Sequence, residues 1–129
     1  MPHPFPGMQR TILVVDDERP IVTLLSEYLA SKGFRVLTAR DGQAGLETAR
    51  SAGPDLIILD VMLPRLSGYT VARALKGDPA TAAIPIIIFS TRSSAADQAA
   101  FKAAGAEVHV LKPFDPEHLL GKILELLPA

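Results

Sequence analysis

Short apolar runs recur five times along this chain, each followed by a stretch of helical spacing, and that alternation restricts the possible folds more than any other feature. The runs are "TILVV" (11–15), "RVLTA" (35–39), "DLIILD" (55–60), "PIIIFS" (85–90) and "EVHVL" (107–111). Between and after them the spacing of apolar residues predicts helices over roughly 20–31, 42–51, 67–77, 95–104 and 116–127, with Gly or Pro at the joins. The first helix carries Ile21, Leu24, Leu25, Tyr28 and Leu29 along one stripe, and Gly33 stands where a helix C-terminus takes a left-handed residue. "LIIL" does not alternate polar with apolar, so both faces of its strand must be covered, as in a parallel sheet with helices on each side.

Crossovers between parallel strands are right-handed, and a closed eight-stranded barrel would need three more units than are present. The expected fold is therefore α/β, a doubly wound (βα)5 flavodoxin-like parallel sheet of strand order 2-1-3-4-5. Ligands in such sheets bind at the carboxyl ends of the strands beside the switch point, here strands 1 and 3.

A chain of 129 residues with 48% apolar content fills one core. The expected division is a flexible leader over 1–10, where "MPHPFPGMQR" has three prolines and no apolar run, one domain over 11–127, and a tail at 128–129. No DNA-binding or enzymatic output is expected beyond the last helix. Thirteen basic residues against fourteen acidic ones leave a net charge of -1, so there is no basic excess to hold a phosphate backbone and no direct nucleic-acid partner is expected. No apolar stretch approaches the roughly 20 residues that span a bilayer. The lack of cysteine excludes disulfides and thiolate sites and suits a reducing, cytoplasmic setting.

The switch-point rule selects residues. Strand 1 ends in "VVDDE" and strand 3 in "ILD", which puts Asp16, Asp17 and Asp60 at adjacent strand ends. Singly, each acid reads as a helix cap or a solvated loop residue, and Asp16 or Asp17 is placed to cap the helix beginning near Pro20. As a group they repel. Two carboxylates about 4 Å apart repel by roughly 4 kcal/mol at an effective dielectric of 20, so the cluster calls for a cation, and oxygen-only ligands point to Mg2+ or a similar hard ion. Strand 4 ends in "IIIFSTR", bringing the hydroxyl of Ser90 or of Thr91 to the same edge, and strand 5 ends in "VLKPF", bringing Lys112. Taken alone, Ser90 reads as a cap of the fourth helix and Lys112 as a surface charge. Together, a metal, a hydroxyl donor and an ammonium suit a phosphoryl group carried on a carboxylate.

"VVDDE", "LIILDVMLPRLSG", "FST" and "LKPF", in this order and at these strand ends, resemble the receiver domain of two-component response regulators, from Thr11 to about Leu127. The resemblance implies that Asp60 accepts a phosphoryl group from a sensor histidine kinase or phosphotransfer protein. It implies that Asp16, Asp17, Asp60 and the backbone carbonyl of Met62 hold Mg2+, that Ser90 bonds a phosphoryl oxygen, and that Lys112 pairs with the phosphoryl group. Pro113 matches the family's cis-proline, and Pro64 and Gly68 match the turn after the acceptor strand. Phosphorylation would switch the surface of helix 4, strand 5 and helix 5, where a downstream target protein docks.

Some positions depart from the family pattern. His109 stands where a tyrosine or phenylalanine switch ring is usual, and its plainest reading is a tolerated, half-buried ring. Thr91 replaces a small residue. Val108, Lys122 and Leu124 do not reproduce the charged dimer face of the winged-helix regulators, so a monomer or weak dimer is expected. A haloacid-dehalogenase-type phosphohydrolase would want an acid two residues after the nucleophile, where Met62 stands. A phosphate-binding G-x-x-x-x-G-K-[ST] loop is absent, since "GKI" at Gly121 fails at its third position. A receiver-like scaffold that works without phosphorylation would need none of Asp17, Asp60 and Lys112. Two readings of the chain's extent stay open: a receiver that acts alone by docking, or the receiver of a longer regulator or hybrid kinase.

Overall fold

The computed structural model describes residues 9–127; most of the predicted leader and the 128–129 tail lie outside the described residues. Five strands, β1 (Thr11–Val15), β2 (Arg35–Ala39), β3 (Leu56–Asp60), β4 (Ile86–Ser90) and β5 (Val108–Leu111), alternate with five helices. These are α1 (Arg19–Ser31), α2 (Gly42–Ala52), α3 (Gly68–Lys76), α4 (Ala95–Ala104) and α5 (Pro116–Leu126). All strand pairs are parallel and the order is β2-β1-β3-β4-β5, as expected.

Alternate side chains of each strand feed two separate cores. On one face Leu13, Val15, Ile57, Leu59, Ile86 and Ile88 pack beneath α2, α3 and α4, chiefly against Leu46, Val71 and Leu75. On the other, Ile12, Val14, Leu56, Ile58, Ile87 and Phe89 pack beneath α1 and α5 against Leu25, Leu29, Leu119 and Ile123. Every residue of β3 and β4 is buried, which is why those runs show no alternation. Each fully buried aliphatic side chain contributes roughly 1.5–3 kcal/mol, so these two strands are the firmest part of the sheet.

Helix starts are set by short polar side chains: Asp41, Ser67, Ser94 and Asp115 each accept a backbone N–H in the first turn of α2, α3, α4 and α5. The cap of α4 is thus Ser94, not Ser90. Neither Asp16 nor Asp17 caps α1, whose N-cap position is Glu18 and whose start is set by Pro20 in the first turn. Gly33 has φ 95°, the left-handed residue expected after α1.

At the lower sheet edge, the Lys76 ammonium donates to the carbonyl oxygens of Ala82 (3.1 Å) and Ile84 (2.8 Å) and to Glu107 (2.9 Å). Glu107 in turn accepts the Ile86 N–H at 2.8 Å. At the upper edge Gly68, the first residue of α3, packs directly on β3. A Cβ there would lie 2.1 Å from the Asp60 carbonyl oxygen, and neither backbone can yield. Gly68→Ala is expected to cost at least about 3 kcal/mol, the upper range for overpacking. Denaturant unfolding measures this, and a loss below about 1 kcal/mol would mean that α3 can slide away from Asp60.

Candidate functional site at the upper sheet edge

The register carries five polar side chains to one edge. Asp60 pairs with Phe89, and β1 and β5 stop at Val15 and Leu111, so Asp16, Asp17, Asp60, Ser90 and Lys112 lie at the carboxyl ends of four adjacent strands. One carboxylate oxygen each from Asp16, Asp17 and Asp60 lie within 4.8 Å of one another. Asp16 and Asp60 are buried, and Asp17 is exposed at the mouth. Among the described residues this is the group whose oxygen donors fit a hard divalent cation, and Asp17 keeps one side of it open to water.

Lys112 closes the other side. Its side chain is only 8% exposed, and the ammonium reaches Asp16 at 2.9 Å, Glu18 at 3.0 Å and Asp60 at 3.5 Å while lying 4.9 Å above the Phe89 ring. Burial alone would lower its pKa, but hydrogen bonds to Asp16 and Glu18 reverse this and hold it raised. Glu18 was not singled out in the sequence, although it is the last letter of "VVDDE" and two residues beyond Asp16. The Lys112–Pro113 peptide bond is cis.

Asp60 is 4% exposed. Burial first, and then the charge of Asp16, push its carboxyl up to about 6, against the opposing pull of Lys112 and of a hydrogen bond from the Met62 backbone. Ser90 is buried, and its Oγ accepts the Arg92 N–H at 2.9 Å. Thr91 is exposed, so of the two candidate hydroxyls it is Ser90 that lies inside the edge. Met62 is 59% exposed, and its Sδ lies 3.2 Å from Arg92 Nη1, linking the loops after β3 and β4 across the mouth. Pro64 and Gly68 shape the β3–α3 loop: the Pro64 carbonyl accepts the N–H groups of Gly42 and Leu66, and the Gly68 N–H donates to Val61. His109 is half-buried on β5, its ring 5.8 Å from that of Phe101, and its Nε2 has no hydrogen-bond partner among the described residues.

These features define a doubly wound α/β domain with a cation-competent acidic pocket at its switch point. A model of the response regulator receiver domain family matches residues 12–124. The chain belongs to that family and is a receiver domain of two-component signalling. It is 38% identical over 120 residues to the alkaline phosphatase synthesis transcriptional regulatory protein PhoP of Bacillus subtilis, covering 93% of this chain and 49% of that protein. The chain thus spans about half the length of several curated relatives that it matches. The fold is also that of the chemotaxis protein CheY4 of Vibrio cholerae (33% identity, TM-score 0.87, 93% of this chain and 100% of that one). It likewise matches the receiver domain of the sensor histidine kinase PA1611 of Pseudomonas aeruginosa (26% identity, TM-score 0.87, 95% of this chain and 100% of that one), whose structure has a magnesium ion coordinated in the active site cleft.

The raised Asp60 carboxyl has a consequence for stability without divalent cations. Near pH 7.5 Asp60 is ionised in the folded and unfolded chains alike, and the fold bears the full cost of a buried anion. A difference of about two units at about 1.4 kcal/mol per unit makes that cost on the order of 2–3 kcal/mol. In EDTA, Asp60→Asn is expected to melt above the parent at pH 7.5. As pH falls from about 6 toward 4 the parent carboxyl takes up its proton and the gap closes. Thermal melts across this range check it; a gap that widens on acidification would reverse the sign of the shift.

Proposed function

We propose that Asp60 is the phosphoacceptor of this receiver and that its modification switches the α4–β5–α5 surface. The observation that carries this reading is the geometry of the edge: a carboxylate fixed on a wholly buried strand, with two further acids within 4.8 Å and an ammonium at 3.5 Å. One Asp60 oxygen would attack the phosphorus of a phosphohistidine on a sensor kinase or phosphotransfer protein, with the histidine nitrogen leaving. Asp16, Asp17, Asp60 and the Met62 carbonyl would hold Mg2+. The ion, when bound, offsets the charge of the acids and of the phosphoryl oxygens.

Lys112 would follow the phosphoryl group by releasing the exposed Glu18, whose carboxylate can return to water at little cost. Ser90 would leave the Arg92 N–H to donate its hydroxyl to a phosphoryl oxygen, drawing the β4–α4 loop inward. His109, half-buried beside Phe101, would respond to that shift and report it at β5. The chain on this reading is a signalling phosphoacceptor that assists its own phosphorylation and hydrolysis and turns over no separate substrate. Its receiver unit runs over 11–127, between a 1–10 leader and a 128–129 tail. It works in the cytoplasm as a monomer or weak dimer, with a protein target docking on α4, β5 and α5. No helix of the described residues is long and apolar enough to cross a membrane.

Incubation with acetyl phosphate and Mg2+ is expected to add one phosphoryl mass to the parent and none to Asp60→Asn. Equal uptake by Asp60→Asn would remove Asp60 from this role. Mg2+ alone is expected to raise the melting midpoint of the parent but not of Asp17→Ala, because a ligand that binds only the folded state stabilises it; an equal rise in both would place the ion elsewhere.

Hydrolysis is expected to be slow. Met62 and Arg92 flank the approach of water to the phosphoryl group, and neither is an acid or amide that can orient it. Met62→Asn is expected to shorten the lifetime of the phosphorylated form, as followed by intact mass after removal of the donor. A parent lifetime of seconds, unchanged in that variant, would reject this.

A further inference from the structure

Asp97 is a buried carboxylate that the receiver mechanism above does not use. It is 4% exposed at the third position of α4, and both of its oxygens are engaged. Oδ2 accepts the Ser94 hydroxyl at 2.5 Å and the Ser94 N–H at 3.3 Å, completing a capping box in which Ser94 Oγ accepts the Asp97 N–H at 3.1 Å. Capping accounts for Oδ2 alone. Oδ1 accepts the Tyr69 hydroxyl of α3 at 3.4 Å and the Arg92 Nε at 3.2 Å. Hydrogen bonding from Ser94 and the Arg92 charge hold the carboxyl below its ordinary range despite burial, so it is an anion at neutral pH.

Arg92 connects this buried anion to the upper edge. Its backbone N–H holds Ser90 Oγ at 2.9 Å, and its guanidinium runs from Asp97 to Met62 Sδ at 3.2 Å, with the side chain 51% exposed. The sulfur is a weak acceptor, so the Met62 contact does not compete with an anion for the guanidinium fork. Behind Arg92 the edge carries four carboxylates, Asp16, Asp17, Glu18 and Asp60, against the one ammonium of Lys112, which contacts three of them. Even with a divalent cation bound, that edge is negative toward an approaching dianion. A guanidinium fixed across the mouth supplies positive charge where such a donor arrives.

We propose that Asp97 is a positioning residue that, with Tyr69, fixes the Arg92 guanidinium across the mouth of the Asp60 site, where Arg92 recognises the charge of the phosphoryl donor. This rests on Asp60 being the acceptor. With acetyl phosphate as donor, an Asp60 carboxylate oxygen forms the new bond to phosphorus, the bond from phosphorus to the acyl oxygen breaks, and acetate leaves with the electron pair. Arg92 steers the dianion into place and neither gains nor loses a proton.

The test measures initial phosphorylation rates by intact mass, with acetyl phosphate and saturating Mg2+ at low and high salt. Arg92→Ala is expected to slow the reaction about threefold at low salt and to flatten its salt dependence, the scale of one exposed charge at the rim of a cleft. Asp97→Asn, which keeps the size of the side chain and loses its charge, is expected to slow the parent by a similar factor and to have no further effect in the Arg92→Ala background. Tyr69→Phe keeps the buried ring, is expected to slow the parent up to about twofold and Arg92→Ala not at all, and decides the matter if Asp97→Asn does not fold. Equal slowing by Asp97→Asn, or by Tyr69→Phe in its place, in both backgrounds would make the network purely structural and overturn the proposal. So would an Arg92→Ala protein with the parent's rate and salt slope. Failure of the acceptor reading is separate, since it would show as phosphate uptake by Asp60→Asn.

Discussion

One buried ammonium among carboxylates governs the upper edge of this domain. Two acids, Asp16 and Asp60, sit in the interior, where loss of water and the neighbouring charge of Asp16 disfavour the charged form of Asp60. Lys112 answers part of that cost. The balance is deliberately incomplete in a physical sense: the Asp60 carboxyl stays raised to about 6 even with Lys112 at 3.5 Å. A site that still carries unmet negative charge favours whatever cation or cation-bearing group arrives next, and it does so from the strand that can move least.

The topology makes this balance possible. A sheet covered on both faces leaves only strand ends for charge, and winding in two directions from β1 and β3 opens a crevice where helices part. The carboxyl ends of β1, β3, β4 and β5 then bring residues up to 96 positions apart, Asp16 and Lys112, within hydrogen-bond distance. Gly68 adds the fine placement, since only a residue without Cβ lets α3 begin directly over the Asp60 carbonyl.

Most of the fold was legible because period and punctuation agreed. The strands begin one residue later than the apolar runs at Asp55, Pro85 and Glu107, and each exception has a reason. Asp55 and Glu107 turn their carboxylates onto the N–H groups of Thr11 and Ile86, and Pro85 gives its carbonyl to Ile57 before β4 begins. At the upper edge, the residues that sit at strand ends could be read because strand position alone places them. Arg92 could be placed beside the site by its position two residues after Ser90, but its pairing with Asp97 could not, and neither could Glu18 or Asp97, since these depend on side chains reaching back across loops. Asp97 had one local signal, the Ser94-x-x-Asp97 spacing of a capping box, but nothing in the order of residues says that Tyr69 would meet it from another helix.

The Lys76 contacts at the lower edge bear on how any movement is distributed. Lys76 ties the end of α3, the Ala82–Ile84 turn and the residue before β5 together at one point, and at the opposite ends Lys112 bonds Asp16 and Glu18 while Arg92 bonds Asp97. The two ties differ in what holds them: Lys76 is met by two backbone carbonyls and one carboxylate, Lys112 by carboxylates alone, so a change of charge among those carboxylates remakes the upper tie and leaves the lower one as it was.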